Sequence, residues 1–187
     1  MPDSSTVWRG PPEAVDVVVA GRKESLVVAR ERAFAGAISI LGPRHHRHHA
    51  RRKHWARLGR LVPQVLSLTM DDVSDAAELR HSPPAVVVVP PAVHHMEAIL
   101  TFARRVRGPV LVHCEQGLSR SGAAAIIVAI ARGANPIAAA RFLIGRDRTY
   151  PNEWLVRLAD ERYGLDGALM QAVEEERRQW YARDPRG

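Results

Sequence analysis

Apolar runs alternate with turn residues along the first part of the chain in a pattern that predicts strands followed by helices. β-Branched or apolar runs predict strands at 15–20, 37–41, 65–70 and 110–112. Helical spacing of apolar positions predicts helices over 25–34 and 92–106. This alternation is typical of a mostly parallel sheet flanked by helices, so we predict an α/β fold.

The remainder of the chain is patterned as helices. Nearly all positions of 121–132 are apolar, which predicts a buried helix. Further helices are predicted over 136–145, from an Asn152 cap to about 163, and over about 166–181. We therefore expect a C-terminal helical cluster beside the sheet. Proline pairs at both ends of 82–91 predict an extended connection there rather than a strand.

The length of the chain, 187 residues, suits one domain with a substantial core. We predict a flexible arm over 1–12 and a single domain over 13–184, with a basic insertion at about 43–60. No apolar run reaches the roughly 18 residues that a membrane span requires. The first ten residues show no signal-peptide pattern, so the expectation is a cytoplasmic protein without a membrane partner.

The formal net charge of +7 is concentrated in one segment. Residues 44–60 hold seven Lys and Arg, five His and no acidic residue. The default prediction is a solvated basic loop, and the alternative is a basic helix containing Trp55. Such a segment would raise the local anion concentration or bind an acidic partner, and nucleic-acid binding is the less favoured outcome. No carboxylate or cysteine adjoins the histidines, so no metal site and no cofactor are predicted.

The candidate chemistry lies where the last predicted strand meets the buried helix. His113 and Cys114 end the strand, a loop containing Gly117 follows, and a helix begins at once near Arg120. Backbone N–H groups of such a loop and helix start converge and bind tetrahedral anions. The same positive environment would hold the thiol of Cys114, the sole cysteine, as a nucleophilic thiolate.

The side chains around the cysteine suit phosphate chemistry. The planar guanidinium of Arg120 is always charged and holds two phosphate oxygens at once. Ser121 is predicted to donate a hydrogen bond to Cys114, and His113 to orient the loop through its ring nitrogens. The predicted phosphate-binding residues are those of the loop itself and the arginine: Glu115, Gln116, Gly117, Leu118, Ser119 and Arg120. The Glu115 side chain is expected to be solvated.

The run His113-Cys114-x-x-Gly117-x-Ser119-Arg120-Ser121 resembles the signature loop of the protein tyrosine phosphatase superfamily. Its Ser-Arg-Ser ending is more similar to the dual-specificity branch, and the chain looks closest to small bacterial members. The resemblance extends more loosely over about 37–167. It implies metal-independent phosphomonoester hydrolysis through a phosphocysteine intermediate, with a phosphorylated protein or a small phosphomonoester as substrate.

The resemblance also implies a general acid, an aspartate on a loop one strand and one helix upstream of the signature. Asp71, Asp72 and Asp75 all follow the predicted strand at 65–70, and we choose Asp72. The chain has no Trp-Pro-Asp sequence to mark the acid. Asp71 and Asp72 would otherwise form a turn and a helix cap.

Other readings of the same loop are a pseudophosphatase that binds phosphorylated partners without turnover, and a rhodanese-like sulfurtransferase. The His before the cysteine and the Ser-Arg-Ser ending disfavour the sulfurtransferase. Phosphotyrosine, phosphoserine or phosphothreonine, an inositol phosphate and a phosphoinositide all fit the loop. The absence of lysine within the loop favours protein or small monoester substrates. The sequence makes no prediction of oligomeric state.

Overall fold

The computed structural model describes residues 16–43, 48–80, 87–147 and 149–183. Its centre is a sheet of four parallel strands in the order β1-β4-β2-β3. The strands are β1 (Val17–Ala20), β2 (Gly36–Leu41), β3 (Val65–Thr69) and β4 (Val110–His113). The predicted α/β class is confirmed, and each of the four strands lies within two residues of its predicted bounds.

The register of the sheet places the end of β4 between two neighbouring strands. Val110 pairs with Val17 of β1, and Leu111 pairs with Ala37 of β2, which in turn pairs with Val65 of β3. Since all pairs are parallel, every strand delivers the residues that follow it to the same edge of the sheet. Cys114 follows β4 directly and therefore lies at the middle of that carboxyl edge.

The described residues include eight helices, which are α1 (Arg22–Glu31), α2 (His48–Leu58), α3 (Ala76–Arg80), α4 (Val93–Arg105), α5 (Arg120–Ala131), α6 (Pro136–Asp147), α7 (Glu153–Tyr163) and α8 (Ala168–Arg183). The short α3 was not predicted. The first helix begins three residues before its predicted start, because the Glu24 carboxylate accepts a hydrogen bond from the Gly21 amide and caps the helix there.

The two faces of the sheet are covered by unequal helical layers. α5 is buried along almost its whole length and packs against β1, β4, α4, α6 and α7. Val110 and Val112 point into this larger core, whereas Leu111 and Ala37 point to a smaller apolar cluster under α1 and α2. The alternation of β4 side chains between two cores explains its continuous apolar sequence.

The basic segment is ordered into a helix from residue 48, so the solvated-loop prediction was wrong for that part, and residues 44–47 lie outside the described chain. His54 and Leu58 are four residues apart, share one face of α2, and are buried. Two further side chains of the helix reach β2: Trp55 donates to the Ser39 hydroxyl, and Arg51 to the carbonyl of Gly42. A helical face thus packs on the sheet, while Arg52, Lys53 and Arg57 of the same helix are exposed.

The connection after β3 is irregular over residues 87–91, as the prolines predict, and 81–86 lie outside the described chain. It is anchored by Asp71, whose amide donates to the Val89 carbonyl and whose Oδ2 accepts from the Val89 amide. The predicted arm at 1–12 also lies outside the described residues, and the domain limits stay a prediction. Within the described ranges, no helix has the length and apolar character of a bilayer span.

Candidate active site

The sulfur of Cys114 lies beneath the loop that joins β4 to α5. The residue is only 1% exposed, yet the contacts of its sulfur include polar groups. The Gly117 amide donates to Sγ at 3.3 Å, and the Ser121 hydroxyl lies 3.2 Å from it. The predicted contact between Ser121 and Cys114 is therefore present, and the loop folds back over the thiol.

The tight return of the loop depends on glycine at position 117. Its φ is +83°, and a Cβ there would lie 2.5 Å from the Gly21 amide nitrogen. The loop is also joined to the start of α1, because the Arg22 amide donates to the Glu115 carbonyl. The turn after β1 thus packs directly against the signature loop, and the space at Gly117 is too small for a side chain.

We expect Gly117→Ala to lower the free energy of unfolding by about 2–3 kcal/mol, since it adds a steric clash to an unfavourable φ. Gly164→Ala is the matched control, because Gly164 also has positive φ but no atom within 4 Å of a Cβ. The control should lose only about 1 kcal/mol. Urea unfolding measures both, and equal losses would contradict close packing at Gly117.

Arg120 ends the signature loop as the first residue of α5, and its side chain is buried at 6% exposure. One guanidinium nitrogen donates to the Met70 carbonyl at 2.7 Å. Nε has no hydrogen-bond partner and lies 3.6 Å from the nearer oxygen of Asp72. A buried donor without an acceptor costs about 1–3 kcal/mol, so this position favours an anionic ligand.

The N-terminus of α5 has no side-chain cap. Ser119 occupies the N-cap position, but its hydroxyl donates to Asp72 Oδ1 at 2.6 Å instead of accepting from the helix. The first N–H groups of a helix have no intrahelical acceptor and carry partial positive charge. The helix end that carries Arg120 therefore keeps uncapped amides, as the predicted anion site requires.

The three candidate acids are distinguished by their contacts. Asp72 accepts from Ser119 and contacts Arg120, so it lies at the signature loop. The Asp71 carboxylate instead accepts a hydrogen bond from the Val89 amide in the 87–91 connection. Asp75 caps α3 by accepting from the Glu78 and Ala77 amides, and the Glu78 bond foremost holds the pKa of Asp75 below its usual value. Of the three, Asp72 is the one that contacts the signature loop, and its role as the acid stays a prediction.

Asn152 has a second role that the sequence does not reveal. Its Oδ1 accepts from the Leu155 amide, as the predicted cap of α7 requires. Its Nδ2 also donates to Asp72 Oδ1 at 3.0 Å and to the Val73 carbonyl at 3.1 Å, and the residue is 1% exposed. The Asn152 amide itself donates to the Ser119 carbonyl. Asn152 thus links α7, the signature loop, and the loop after β3 that contains Asp72.

His113 contacts the loop as expected, and it has an unexpected partner. Its Nδ1 lies 3.2 Å from the Cys114 carbonyl oxygen, and its Nε2 lies 3.1 Å from Nε2 of His54 on α2. Burial is the main cause that lowers the pKa of His113 to about 3 and that of His54 to about 4. Both rings are therefore neutral at pH 7. Sequence patterning missed His54, whose one clue is its helical spacing from Leu58.

Other loop positions differ in exposure. Gln116 and Leu118 are exposed at the surface, and Gly117 and Ser119 are partly buried. Glu115 is not simply solvated as predicted, because its carboxylate pairs with Arg22 at 3.3 Å. In the parts of the chain that the structure describes, no three His, Cys, Asp or Glu side chains are grouped to bind a metal.

The protein is thus an α/β protein with a Cys-x5-Arg loop at the carboxyl edge of an interior strand. No protein-family model and no curated protein matches the chain. Its fold is similar to the crystal structure of Tk-PTP in the active form, with 22% identity, 78% of this chain and 88% of the other covered, and a TM-score of 0.44. It is also similar to the crystal structure of PTPMT1, with 15% identity, 94% and 100% covered, and a TM-score of 0.49.

The class of this protein, an α/β protein with a Cys-x5-Arg loop, rests on its own loop sequence and geometry.

Proposed function

We propose that the protein hydrolyses phosphomonoesters without a metal, through a phosphocysteine intermediate on Cys114. One observation carries the proposal: a buried thiol and a buried guanidinium whose Nε makes no hydrogen bond share an uncapped helix N-terminus. A phosphate dianion bound there would accept hydrogen bonds from both the helix amides and Arg120. The thiol would then lie beneath the phosphorus atom.

In the first step, the Cys114 thiolate attacks phosphorus, the S–P bond forms and the P–O bond to the leaving group breaks. Asp72 would give its proton to the departing oxygen, so that an alcohol or phenol leaves rather than an anion. Arg120 and the loop amides stabilise the charge that spreads over the three phosphoryl oxygens. Because Arg120 and Ser119 both contact Asp72 in the free protein, substrate binding would exchange these contacts for contacts to phosphate.

In the second step, water attacks phosphorus, the S–P bond breaks and inorganic phosphate forms. Asp72, now a carboxylate, would accept the proton of the attacking water. The Ser121 hydroxyl, 3.2 Å from Sγ, would donate to the sulfur as it leaves with the electron pair. This completes a cycle in which no oxidant, metal or cofactor is consumed.

Hydrolysis of an aryl phosphate, measured with and without EDTA and with vanadate as inhibitor, tests the proposal. Activity that survives EDTA and is lost with vanadate is expected. Phosphopeptide binding without phosphate release would identify a pseudophosphatase, and sulfur transfer from thiosulfate to cyanide would identify a rhodanese-like enzyme. Either of these results, with no aryl phosphate turnover, would overturn the proposed hydrolysis.

For the substrate class, we favour a phosphorylated protein or a small monoester over a phosphoinositide, since the loop contains no lysine. We also propose dual specificity, because the Ser-Arg-Ser ending of the loop resembles that of the dual-specificity branch. Phosphate release from phosphotyrosine and phosphoserine peptides, compared with an inositol phosphate at equal concentration, checks this. Faster turnover of the inositol phosphate would contradict it.

We expect Asp72→Asn to lower kcat by about 10²–10⁴-fold on an alkyl phosphate, whose poor leaving group needs a proton. The loss should shrink on an aryl phosphate whose phenol leaves readily as an anion. Asp75→Asn is the matched control on the same loop, because Asp75 caps α3 and does not contact the signature loop. A loss that is equal for both leaving groups would show that Asp72 is not the acid.

A further inference from the structure

α2 places one histidine of the basic segment against the signature loop. His54 is 7% exposed, and its ring meets the His113 ring edge to face at 4.8 Å between centroids. The segment as a whole has no part in the proposed chemistry. His54 is nevertheless separated from the nucleophile by a single side chain, that of His113.

The hydrogen-bond chain fixes where the protons lie. The Cys114 carbonyl is an acceptor only, so the His113 nitrogen beside it, Nδ1, must carry the proton. A neutral His113 then has a bare Nε2, which accepts. Consequently the facing Nε2 of His54 must be the donor across the 3.1 Å gap. The order is therefore His54 Nε2–H to His113 Nε2, and His113 Nδ1–H to the Cys114 carbonyl.

We propose that His54 is a positioning residue for Cys114: by donating to His113, it fixes the tautomer and ring orientation that hold the first peptide of the loop. This inference rests on the proposed function for its kinetic consequence but not for its structural one. Without the donor, the His113 ring is free to take the other tautomer, which has no hydrogen to give to the Cys114 carbonyl. The loop peptide above the sulfur would then lose its anchor.

The surroundings of His54 keep it a neutral donor. Burial acts most strongly against protonation of His54, Arg22 of α1 and Arg57 on α2 act in the same direction, and Glu115 of the loop acts against them. The His54 ring has its side-chain hydrogen bond with His113. The pair is thus held between the start of α1, the loop and α2, so loss of the His54 donor is transmitted to the loop through His113.

The kinetic test uses three variants and an aryl phosphate. His54→Leu fills the space without a donor and should lower kcat about 10-fold, the scale seen when a partner that orients a site's ligands is lost. His54→Gln retains an N–H donor and should recover most of kcat. Trp55→Phe, the control, removes the bond to Ser39 that docks α2 and should reduce stability with kcat unchanged. Full activity in His54→Leu, or an equal loss in Trp55→Phe, would overturn the inference.

A second readout does not depend on turnover. Imidazole ¹⁵N NMR should show the Nδ1–H tautomer for His113 and the Nε2–H tautomer for His54, and His54→Leu should lose the first. If His54→Leu does not fold, His54→Asn, too short to reach His113, replaces it. An Nε2–H tautomer at His113 in the unmodified protein would overturn the inference.

Tungstate binding to the Cys114→Ser protein separates the two proposals. Weaker binding on adding His54→Leu, together with no phosphatase activity in the unmodified protein, would refute the proposed function and support the positioning role. Unchanged tungstate affinity and unchanged kcat in an active enzyme would refute the positioning role alone.

Discussion

Cys114→Ser is expected to abolish phosphate release while the anion site survives. The serine hydroxyl is far less nucleophilic than a thiolate and has no base beside it. We therefore expect kcat on an aryl phosphate to fall by on the order of 10⁴-fold or more. The loop amides and Arg120 are unchanged, so tungstate or vanadate should still bind, as calorimetry can measure.

The same variant also tests whether Cys114 is the site at which an alkylating reagent inactivates the protein. No other cysteine exists, so an electrophile such as iodoacetamide should inactivate the protein with one equivalent bound, and inorganic phosphate should slow the reaction. The Cys114→Ser protein should take up none. Full activity of this variant would refute the covalent mechanism outright.

Arg120→Lys should also cause a large loss of activity, although it retains the charge. A lysine ammonium has no planar fork that binds two phosphate oxygens at once. It also cannot donate to the Met70 carbonyl and to a bound phosphate in the geometry that the guanidinium provides. Loss of a transition-state donor of this kind costs about 10²–10³-fold in rate. We expect that loss in kcat/KM for an aryl phosphate, together with weaker tungstate binding.

Arg132→Lys is the matched control for this prediction. Arg132 ends the same helix and also donates to backbone carbonyls, those of Val106 and Gly108, but at the end remote from the loop. Its replacement should lower the melting temperature and leave kcat/KM unchanged. Similar kinetic losses in the two variants would show that Arg120 acts through the fold rather than on the phosphate.

The signature loop was predictable because its parts are contiguous. An apolar strand, a loop with Gly117 and an apolar helix follow one another over 110–131, and they place the cysteine and the arginine together whatever the order of the other strands. The strands and most helices were predictable for the same reason, since their apolar spacing is local. α3 was missed because five residues without a buried position leave no periodic pattern.

The contacts that the sequence hid all join distant parts of the chain. His54 and His113 are 59 residues apart, and Asn152 and Asp72 are 80 apart. Both contacts depend on the strand order β1-β4-β2-β3, in which β2 lies between β4 and β3. The segments that follow β2 and β3 therefore meet the signature loop at one edge of the sheet. Residue patterns specify strands but not their neighbours, so a basic segment was interpreted from its charge and not from its buried face.

A solitary sulfur has a consequence for oxidation. A thiolate that is oxidised to the sulfenic acid is commonly protected by condensing with a second thiol, and this chain offers none. The protective routes left are an external thiol such as glutathione, or ring closure with a neighbouring backbone nitrogen. Because the chain has no second thiol to reduce either product, the recovery of Cys114 depends on reducing compounds around the protein.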